Sequence, residues 1–283
     1  MLVMVDIRQS PQFARFMTDL GWEKNIISSN YIYLRKFFPF GYFAKIPRPK
    51  NLFPVSQLIS FKKKNRIFRL KVAPFIQDSG EKYKNLRNDF LNNGFVIENS
   101  PFNPTTTIQF DLSTPIDEIF NNFSEAKRRG VRRALKNEII VRRSEDINTF
   151  IKIRKKQYAP MGFLFVSEMK KIWSNFYPNN ATLLIAYQRN GKEALAGILL
   201  LYYDKIAYYW FASAYEKGKK LFAPTLLVYE SLKAAKAQGS SIFDFEGICD
   251  ERFPKASESW KGFTKFKEGF GGEKIVYCEN FYL

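Results

Sequence analysis

Apolar residues are arranged most regularly in the second half of the chain. Apolar runs at 182–187, 193–203 and 206–213 are separated by short polar breaks, and the first break contains Asn190-Gly191, a favoured two-residue hairpin turn. Apolar runs of this length, bounded by turn residues, are typical of buried strands. The pattern therefore predicts an antiparallel meander of three strands.

Helical periodicity flanks this meander on both sides. Residues 146–157 predict a helix before it, and residues 224–238 predict a helix after it, with Pro224 in the first turn and Gly239 just past the end. Residues 242–246 then predict a buried strand. The order of a helix, three strands, a helix and a strand matches an N-acyltransferase-type (GNAT-like) α/β unit.

The first half of the chain has a less regular pattern with similar parts. Helices are predicted at 10–20, at 81–92 and from 115 toward 136, the last one capped by Ser113 or Thr114. Strand-like segments lie between the helices, at 30–46, 66–72 and 105–112. The sequence therefore predicts two α/β units joined near residue 140.

The composition adds a strong positive charge to this picture. The 283 residues include 45 Lys and Arg against 27 Asp and Glu, which gives a net charge of +18. A field of this sign attracts polyanions such as nucleic acid, anionic lipid headgroups or phosphorylated small molecules. A lysine-rich surface that serves only solubility is the alternative explanation.

Histidine is absent, and Cys249 and Cys278 are the only soft ligands in the sequence. We therefore expect no metal site and no disulfide framework, and we assign both cysteines to packing in a reducing compartment. No apolar run is long enough to span a membrane, and the N-terminus lacks a cleavable signal pattern. These features predict a cytoplasmic protein.

Two basic segments are candidates for binding phosphate groups. Within residues 125–137, cations lie four apart in two rows, made of Arg128, Arg132 and Lys136, and of Arg129 and Arg133. Like charges at this spacing destabilise an isolated helix, which favours a bound counter-anion over a solvated face balanced by glutamates. The loop 215–224 places further cations before a helix N-terminus and is either an anion site or an ordinary basic turn; these cations are Lys217, Lys219 and Lys220.

The C-terminal part of the chain carries the remaining candidates. In the run FDFEG, Asp244 and Glu246 point to the same face of the predicted strand, either as a general base or, as we favour, as partners of nearby lysines and amides. In FTKFKEGFGGE, an extended chain would point Phe266 and Lys267 to opposite faces, one to pack or stack and one to reach a reacting carbonyl. Its glycines would allow close approach to a ligand, and the alternative is a twisted hairpin with solvated lysines.

Together these stretches resemble the Fem family of tRNA-dependent aminoacyltransferases, which build peptide branches and bridges of peptidoglycan. The resemblance covers most of the chain and is most specific where Phe243-Asp244-Phe245, Gly247 and residues 262–273 resemble the D-F-x-G and G-x-x-x-F-K-x-G-F-G-G-E motifs. Shorter similarities lie at Gln9-Ser10-Pro11, Leu20-Gly21-Trp22, Ile46-Pro47-Arg48-Pro49, Thr106-Thr107-Ile108, Asp111-Leu112 and the basic helix through Arg128, Arg132, Ala134 and Lys136.

The resemblance implies an α/β (α+β) fold of two GNAT-like domains, each with a mixed central sheet flanked by helices. We place the first domain at 1–142, on the side of the acceptor precursor and with the basic helix 115–137. The second domain, at 143–283, carries the FDFEG and FKEGFGGE motifs. The family's long helical-hairpin insertion has no counterpart in this chain.

The resemblance also implies roles for individual residues. By motif position, Phe266 would lie near the terminal adenosine of the tRNA, and Lys267 would stabilise the transition state. Met17 stands near the position of a first-helix lysine that helps hold the acceptor's phosphates in many members, and Arg35, Lys36 or Lys45 would substitute for it. Arg154 and Tyr158 are the candidates for the arginine-bearing segment at the start of the second domain, and Asp244 and Glu246 complete the substrate-binding candidates. The cations of the two basic segments are the candidates for binding tRNA or phosphate.

The implied function is transfer of an amino acid from aminoacyl-tRNA to a free amine of a peptidoglycan precursor stem peptide. The precursor is lipid-linked or nucleotide-linked, the aminoacyl-tRNA is a substrate, no cofactor is expected, and peripheral contact with the inner face of the cytoplasmic membrane is expected. Two alternatives stay open. One is an acyl-CoA-dependent N-acyltransferase of the GNAT fold, and the other is a non-catalytic protein that binds tRNA or an anionic membrane.

Overall fold

The computed structural model describes residues 4–51, 53–189, 191 and 193–283. Their contacts group into two compact units. The first unit comprises the chain up to Thr107, Gly247–Lys261 and Lys274–Leu283, and the second comprises Ile108–Glu246 and Gly262–Glu273. None of the described helices is long and apolar enough to cross a membrane.

Helices and strands alternate through most of the chain. The helices are α1 (Pro11–Asp19), α2 (Val55–Lys64), α3 (Gly80–Asn92), α4 (Ile116–Asn121), α5 (Glu125–Lys136), α6 (Ile147–Gln157), α7 (Val166–Phe176), α8 (Glu216–Lys220), α9 (Ala223–Ala237), α10 (Pro254–Ser257) and α11 (Lys261–Glu268). The strands are β1 (Glu23–Ile27), β2 (Asn30–Phe37), β3 (Gly41–Pro47), β4 (Ile67–Ala73), β5 (Val96–Ile97), β6 (Thr106–Asp111), β7 (Ile139–Ser144), β8 (Ala181–Gln188), β9 (Ala194–Tyr203), β10 (Ile206–Ala214), β11 (Ile242–Asp244), β12 (Glu273–Val276) and β13 (Phe281–Tyr282).

The first unit is built on a mixed sheet with the strand order β1-β2-β3-β4-β13-β5. Strands β3 and β4 are parallel, whereas β13 is antiparallel to both β4 and β5. One face of the sheet is apolar because alternate residues of β2 and β3, such as Ile32 and Ile46, point into the same core. Helices α2 and α3 cover that face through Leu58 and Phe90.

A buried ionic centre ties together segments of the first unit that are far apart in sequence. Asp250 accepts hydrogen bonds from the hydroxyls of Thr105 and Thr106 at 2.5 and 2.8 Å and from Arg252 at 2.8 Å. Arg252 also donates to the carboxylate of Asp78 at 3.1 Å. Burial opposes ionisation of Asp250, but the hydrogen bonds from Arg252 and the two threonines outweigh it and lower the pKa of Asp250 to about 2.

The second sheet is also mixed and has the strand order β12-β6-β11-β10-β9-β8-β7. Strands β10 and β11 are parallel, and the pairs β7–β8, β8–β9 and β9–β10 are antiparallel. Strands β8 and β9 are buried along almost their whole length, which agrees with their continuous apolar runs. Two mixed sheets flanked by helices confirm the predicted fold class.

Several predicted elements are confirmed by the structure. Strands β8, β9 and β10 form the predicted meander, although Asn190, the first residue of the predicted turn, lies outside the described residues. Helix α6 is capped by Asp146, whose carboxylate accepts from the amide of Asn148, and α9 begins with Pro224 in its first turn.

Three predicted elements were wrong in detail. The helix expected from 115 to 136 is interrupted after Asn121, because Phe123 is buried and the Ser124 hydroxyl caps a new helix, α5. The loop expected at 215–224 contains the short helix α8. The strand expected at 242–246 ends at Asp244, because Glu246 has a φ of 60° and leaves the extended conformation.

The compact units do not follow the predicted domain boundary between 142 and 143. The first unit takes in Gly247–Lys261 and Lys274–Leu283 from the C-terminal part of the chain, and the second unit begins at Ile108. Pairing explains part of this division. Strand β13 completes the first sheet, whereas β6 pairs with β11 in the second.

Candidate active site

The FKEG motif lies on a helix, which corrects the extended conformation considered for it. Helix α11 spans Lys261–Glu268, and its buried residues are Thr264 and Lys267. Successive residues of a helix are separated by about 100° rather than 180°, so Phe266 and Lys267 do not point to opposite faces. The spacing of Phe263, Phe266, Lys267 and Phe270 is itself helical, and this signal could have identified the helix from sequence.

The Lys267 ammonium is buried among aromatic rings. Its side chain is 7% exposed, and its Nζ donates to the carbonyl oxygen of Phe245 at 2.7 Å. The ring centroids of Phe263 and Tyr209 lie 5.0 and 5.6 Å from Nζ. Burial lowers the pKa of Lys267 to about 8, while the negative charges of Glu246 and Asp244 act in the opposite direction. Lys267 therefore titrates close to physiological pH.

A second lysine, Lys127 in the first turn of α5, packs on the ring of Phe266, the residue before Lys267 in the motif. Its Nζ is 3.7 Å from the ring centroid of Phe266 and 4.7 Å from that of Phe270. Burial lowers the pKa of Lys127 to about 8. Within the described part of the chain, no carboxylate pairs with this ammonium. The ammonium instead contacts the two aromatic rings through cation–π interactions.

The second unit contains a cavity of about 410 Å³ beside these two lysines. Lys127 and Phe266 form part of its wall, and so does Tyr209, which contacts Lys267. Polar and small groups from α6, β9, β10, α8 and α9 complete it: Gln157, Gly197, Ser213, Lys219 and Thr225. A cavity with apolar walls and a few polar groups is the usual form of a small-ligand site.

Asp244 and Glu246 lie close enough to Lys267 for their charges to affect its pKa. Asp244 is buried and accepts from the side-chain amide of Gln109 at 2.7 Å and from the backbone amide of Glu246 at 2.6 Å. The two residues do not share one strand face, because the strand ends at Asp244. Their contacts support the interpretation that they position amides and a lysine.

Arg154 and Tyr158 lie at the end of α6, next to the cavity wall. The guanidinium of Arg154 stacks between aromatic rings, at 4.5 Å from the Phe211 centroid and 4.9 Å from that of Tyr158. Its terminal nitrogen also contacts the hydroxyl of Ser213, a residue of the cavity wall, at 3.4 Å. Its Nε is buried and has no hydrogen-bond partner among the described residues.

The glycines that follow α11 pack against neighbouring side chains of the second unit and do not line an open site. A Cβ at Gly269 would lie 2.6 Å from Cε of Lys127, so this glycine makes room for the Lys127 side chain. Gly272 has a φ of 88°, and a Cβ there would lie 2.7 Å from Ile108. The expectation that these glycines admit a ligand is not supported by these contacts. They allow the motif to pack against α5 and β6.

The cations of the basic helix α5 differ in their contacts. Arg128 donates to the carbonyl of Asn121 at 2.6 Å, so it satisfies the end of α4. Arg129 pairs with Glu125 at 3.4 Å, and Arg133 lies 5.5 Å from the ring of Phe222. The remaining cations of this helix are exposed, namely Arg132 and Lys136.

The lysines of the second basic segment lie on α8. Lys219 lines the cavity and pairs with Glu216 at 2.6 Å, and Lys217 pairs with Glu193 at 3.5 Å. Lys220 is exposed. Surface pairs of this kind contribute little to stability, so these lysines keep most of their capacity to bind an external anion.

The structure places three substrate-binding candidates in the first unit. Arg35 and Lys45 face the ring of Trp22 at 5.9 and 4.2 Å, and Lys36 is exposed on β2. Met17, near the position of the family's lysine, is buried in α1. Across the described residues, no group of three or more His, Cys, Asp or Glu side chains is arranged to hold a metal ion.

The sequence motifs did not identify Lys127 as a residue of this site. Its segment was assigned to phosphate binding by its arginines, and Lys127 was not distinguished from them. The available signal was its spacing from Val131 and Ala134, which puts it on the buried face of α5.

Known proteins resemble this chain in sequence and in fold. The sequence model of the FemAB family matches residues 177–283, which include α11 and the motif FKEGFGGE. This match confirms the resemblance to the Fem family. A search of the curated proteins finds no sequence match.

Solved structures share the fold at low sequence identity. The crystal structure of FemX superposes with a TM-score of 0.82 at 16% identity, covering 99% of this chain and 92% of FemX. A conserved protein of unknown function from Bacteroides thetaiotaomicron has a TM-score of 0.68 at 13% identity, covering 99% and 93%. A tandem GNAT protein from the clavulanic acid biosynthesis pathway has a TM-score of 0.55 at 8% identity, covering 90% and 78%. The GNAT-like character of the fold is thereby confirmed.

Proposed function

We propose that this protein transfers an amino acid from aminoacyl-tRNA to a free amine on the stem peptide of a peptidoglycan precursor. The match to the FemAB family and the fold shared with FemX support this class of reaction. The observation that carries the proposal is that Phe266 lines one cavity and that the next residue, Lys267, is buried with its Nζ against Tyr209, another residue of the cavity wall.

The reaction forms an amide and releases the tRNA. The acceptor amine attacks the carbonyl carbon of the aminoacyl ester, a tetrahedral oxyanion develops, and the bond to the ribose oxygen breaks. The proton of the amine ends on the ribose hydroxyl, and the vicinal hydroxyl of the ribose is a suitable relay. The enzyme therefore needs no nucleophile of its own, which is compatible with the absence of histidine.

In this mechanism Lys267 stabilises the oxyanion. A donor in a site that excludes water is worth about 3 kcal/mol of barrier lowering. The ammonium has three donors, and the contact with the Phe245 carbonyl fixes its position. Because its pKa is about 8, the group is mainly protonated at neutral pH and loses its charge in mildly alkaline solution.

We assign Lys127 to the binding of an anionic group of the donor, most simply the terminal phosphodiester of the tRNA. Its charge lies on the cavity wall and has no carboxylate partner within the described residues. The cation also packs on Phe266, so it holds the ring against which a terminal base would stack. Both contacts support a role of Lys127 in substrate binding rather than in proton transfer.

We divide the remaining cations between the two substrates, the tRNA and the acceptor precursor. We assign the exposed cations of α5 and α8 to the phosphates of the tRNA, because they lie in the same unit as the cavity. Arg154, with its unsatisfied Nε, is assigned to the acceptor precursor. Tyr158 is assigned to the same substrate, and in the first unit so are Arg35, Lys36 and Lys45.

The test is an incubation of the protein with charged tRNAs and with nucleotide-linked or lipid-linked precursor, followed by mass spectrometry. We expect one precursor to gain the mass of one amino acid. The matched variants are Lys267→Met and Lys265→Met, because Lys265 is exposed on the same helix. Product with Lys265→Met but not with Lys267→Met supports the proposal. Binding of tRNA that weakens with salt, without product at any protein concentration, would make this a non-catalytic binding protein.

Transfer from an acyl-CoA is the competing chemistry for a GNAT-like fold. The segment before α9 is occupied by helix α8, and a Cβ at Gly218 would lie 2.5 Å from the Leu195 carbonyl oxygen. Gly218 therefore serves packing and is not available to a pyrophosphate, which disfavours this alternative. Calorimetry distinguishes the two donors, since tight binding of acetyl-CoA and no response to aminoacyl-tRNA would reverse the choice.

A further inference from the structure

The hairpin between β2 and β3 carries the most exposed aromatic residues of the first unit. Its turn is Phe38-Pro39-Phe40, in which Phe38 is 91% exposed and Phe40 is 73% exposed. Large apolar side chains usually avoid such exposure, particularly two in one turn. The turn therefore requires an apolar environment that the first unit does not itself supply.

Further rings extend this apolar surface from the turn onto the sheet. Phe40 and Phe37 contact Phe68 of β4 edge to face, at centroid distances of 6.4 and 6.1 Å. Phe68 in turn contacts Phe43 at 6.4 Å, and Phe37 and Phe68 are each 45% exposed. We call this set, Phe37, Phe38, Phe40, Phe43 and Phe68, the aromatic patch.

Cations flank the aromatic patch along the chain. Arg35 and Lys36 precede it on β2. The turn between α2 and β4 lies beside it, because the Tyr42 amide donates to the Arg66 carbonyl at 3.1 Å. This turn follows three consecutive lysines at the end of α2, namely Lys62, Lys63 and Lys64.

These cations face few negative charges. Within the described residues, neither Arg66 nor the three lysines of α2 form an ion pair. At this end of the sheet, the Glu23 carboxylate accepts a hydrogen bond from the Tyr42 hydroxyl at 3.4 Å. The patch is thus apolar at its centre and positive at its rim.

We propose that the aromatic patch docks the first unit onto a bilayer surface that contains anionic lipid. Phenylalanine side chains at a protruding turn can enter the boundary between headgroups and acyl chains, while lysines and arginines at the rim attract anionic headgroups. The ring pairs Phe37–Phe68 and Phe40–Phe68 meet edge to face, and this clustering favours insertion as an apolar group over the face-on stacking that RNA bases require. This proposal is independent of the transferase reaction.

The experiment is sedimentation of the full chain with vesicles of phosphatidylcholine, alone or mixed with phosphatidylglycerol. We expect binding to the mixed vesicles and little to phosphatidylcholine alone. The double variant Phe38→Ser, Phe40→Ser should lower the partition coefficient about tenfold or more, because the apolar insertion is lost. Its control is Ile26→Ser, which removes a 59% exposed apolar side chain from β1 and should bind as the parent does.

A second pair of variants tests the rim. The triple variant Lys62→Gln, Lys63→Gln, Lys64→Gln should also lower the partition coefficient about tenfold or more, since each cation near the surface contributes about 1 kcal/mol. The control, Lys82→Gln with Lys84→Gln, removes exposed charges from α3 and should have a smaller effect.

Two outcomes would overturn the proposal. If the phenylalanine variant binds as well as the parent while the lysine variant does not, attraction is purely electrostatic and the patch does not insert. If the parent does not bind the mixed vesicles and instead elutes as a dimer in size-exclusion chromatography, while the phenylalanine variant elutes as a monomer, the patch contacts a second copy of the chain. Circular dichroism of each variant establishes that the fold is retained.

Discussion

The two units bury charge in opposite ways. In the first unit, Asp250 is surrounded by Arg252 and two threonine hydroxyls, and its pKa falls to about 2. In the second, the buried Lys267 and the half-buried Lys127 pack against aromatic rings, and their pKa values fall to about 8. The carboxylate stays charged at every physiological pH, whereas the lysines are close to losing their charge.

The difference distinguishes a charge that holds segments together from one that can respond to a new negative charge. A fully hydrogen-bonded ion is locked in its charged form and holds segments together, as the Asp250 centre does for Thr105, Asp78 and Arg252. A cation that is desolvated by rings is strongly attracted to any new negative charge, including one that develops during a reaction. The variants described below test this contrast between the two units.

The largest effect is expected for Lys267. Replacement by Met removes the charge but keeps much of the side-chain volume, and we expect turnover to fall about 10²- to 10³-fold, as for loss of one oxyanion donor. Single-turnover kinetics with charged tRNA and precursor measure this. Lys265→Met should stay near the parent value; equal losses in both variants would remove Lys267 from the chemistry.

The next largest effect is expected for the stability of the first unit. Asp250→Asn should lower the free energy of unfolding by about 2 kcal/mol at pH 7, because a carboxylate with a depressed pKa stabilises the fold. This contribution is complete above the unfolded pKa of about 3.9 and is lost as the pH falls through the folded pKa of about 2. Urea titrations between pH 7 and pH 2 should show the parent approaching the variant.

The control for this carboxylate is Glu81→Gln, an exposed residue of the same unit, which should change stability little. The kinetic constants of the folded Asp250→Asn protein should match the parent. A change in turnover without a change in stability would mean that this centre is reactive, and the contrast between the units would fail.

A smaller effect is expected for Lys127. Lys127→Met should raise KM for aminoacyl-tRNA roughly five- to tenfold and change kcat by less than about twofold, since loss of one charged contact costs about 1–1.5 kcal/mol. Lys170→Met, an exposed lysine on α7, is the control. A fall in kcat with unchanged KM would instead assign Lys127 to the chemical step.

The smallest effect is expected for Glu246. Its negative charge raises the pKa of Lys267, so Glu246→Gln should lower that pKa further and move the alkaline fall in activity to lower pH, by less than about one unit. A pH profile of kcat for parent and variant measures the shift. Movement to higher pH would contradict the assigned electrostatics.

The sequence was sufficient where one pattern had one structural meaning. The buried runs of β8 and β9 and the capped helix α6 follow directly from apolar continuity and from the cap at Asp146. The family motifs then led to Phe266 and Lys267, which the structure places beside a cavity. Their catalytic roles stay predictions until the kinetic tests are made.

The sequence was insufficient where the decisive contact is distant along the chain. Gly269 suggested an open turn, yet it is required because Lys127 packs against it. The break between α4 and α5 depends on burial of Phe123, which the uninterrupted polar pattern did not predict. The discontinuous units likewise follow from the pairing of β13 with β4 and β5, a non-local choice that periodicity does not encode.

The position of β13 in the first sheet also constrains the order in which the protein can fold during synthesis. Phe281 pairs with Val72 on one side and Ile97 on the other, so β4 and β5 keep open edges until residues 281–282 have been synthesised. Helix α11, in contrast, is translated earlier and belongs to the other unit. A chain stalled on the ribosome before residue 281 would therefore contain the whole motif FKEGFGGE, while the first sheet would still lack β13. Such a nascent chain should be recognised by chaperones and proteases through its unpaired strands.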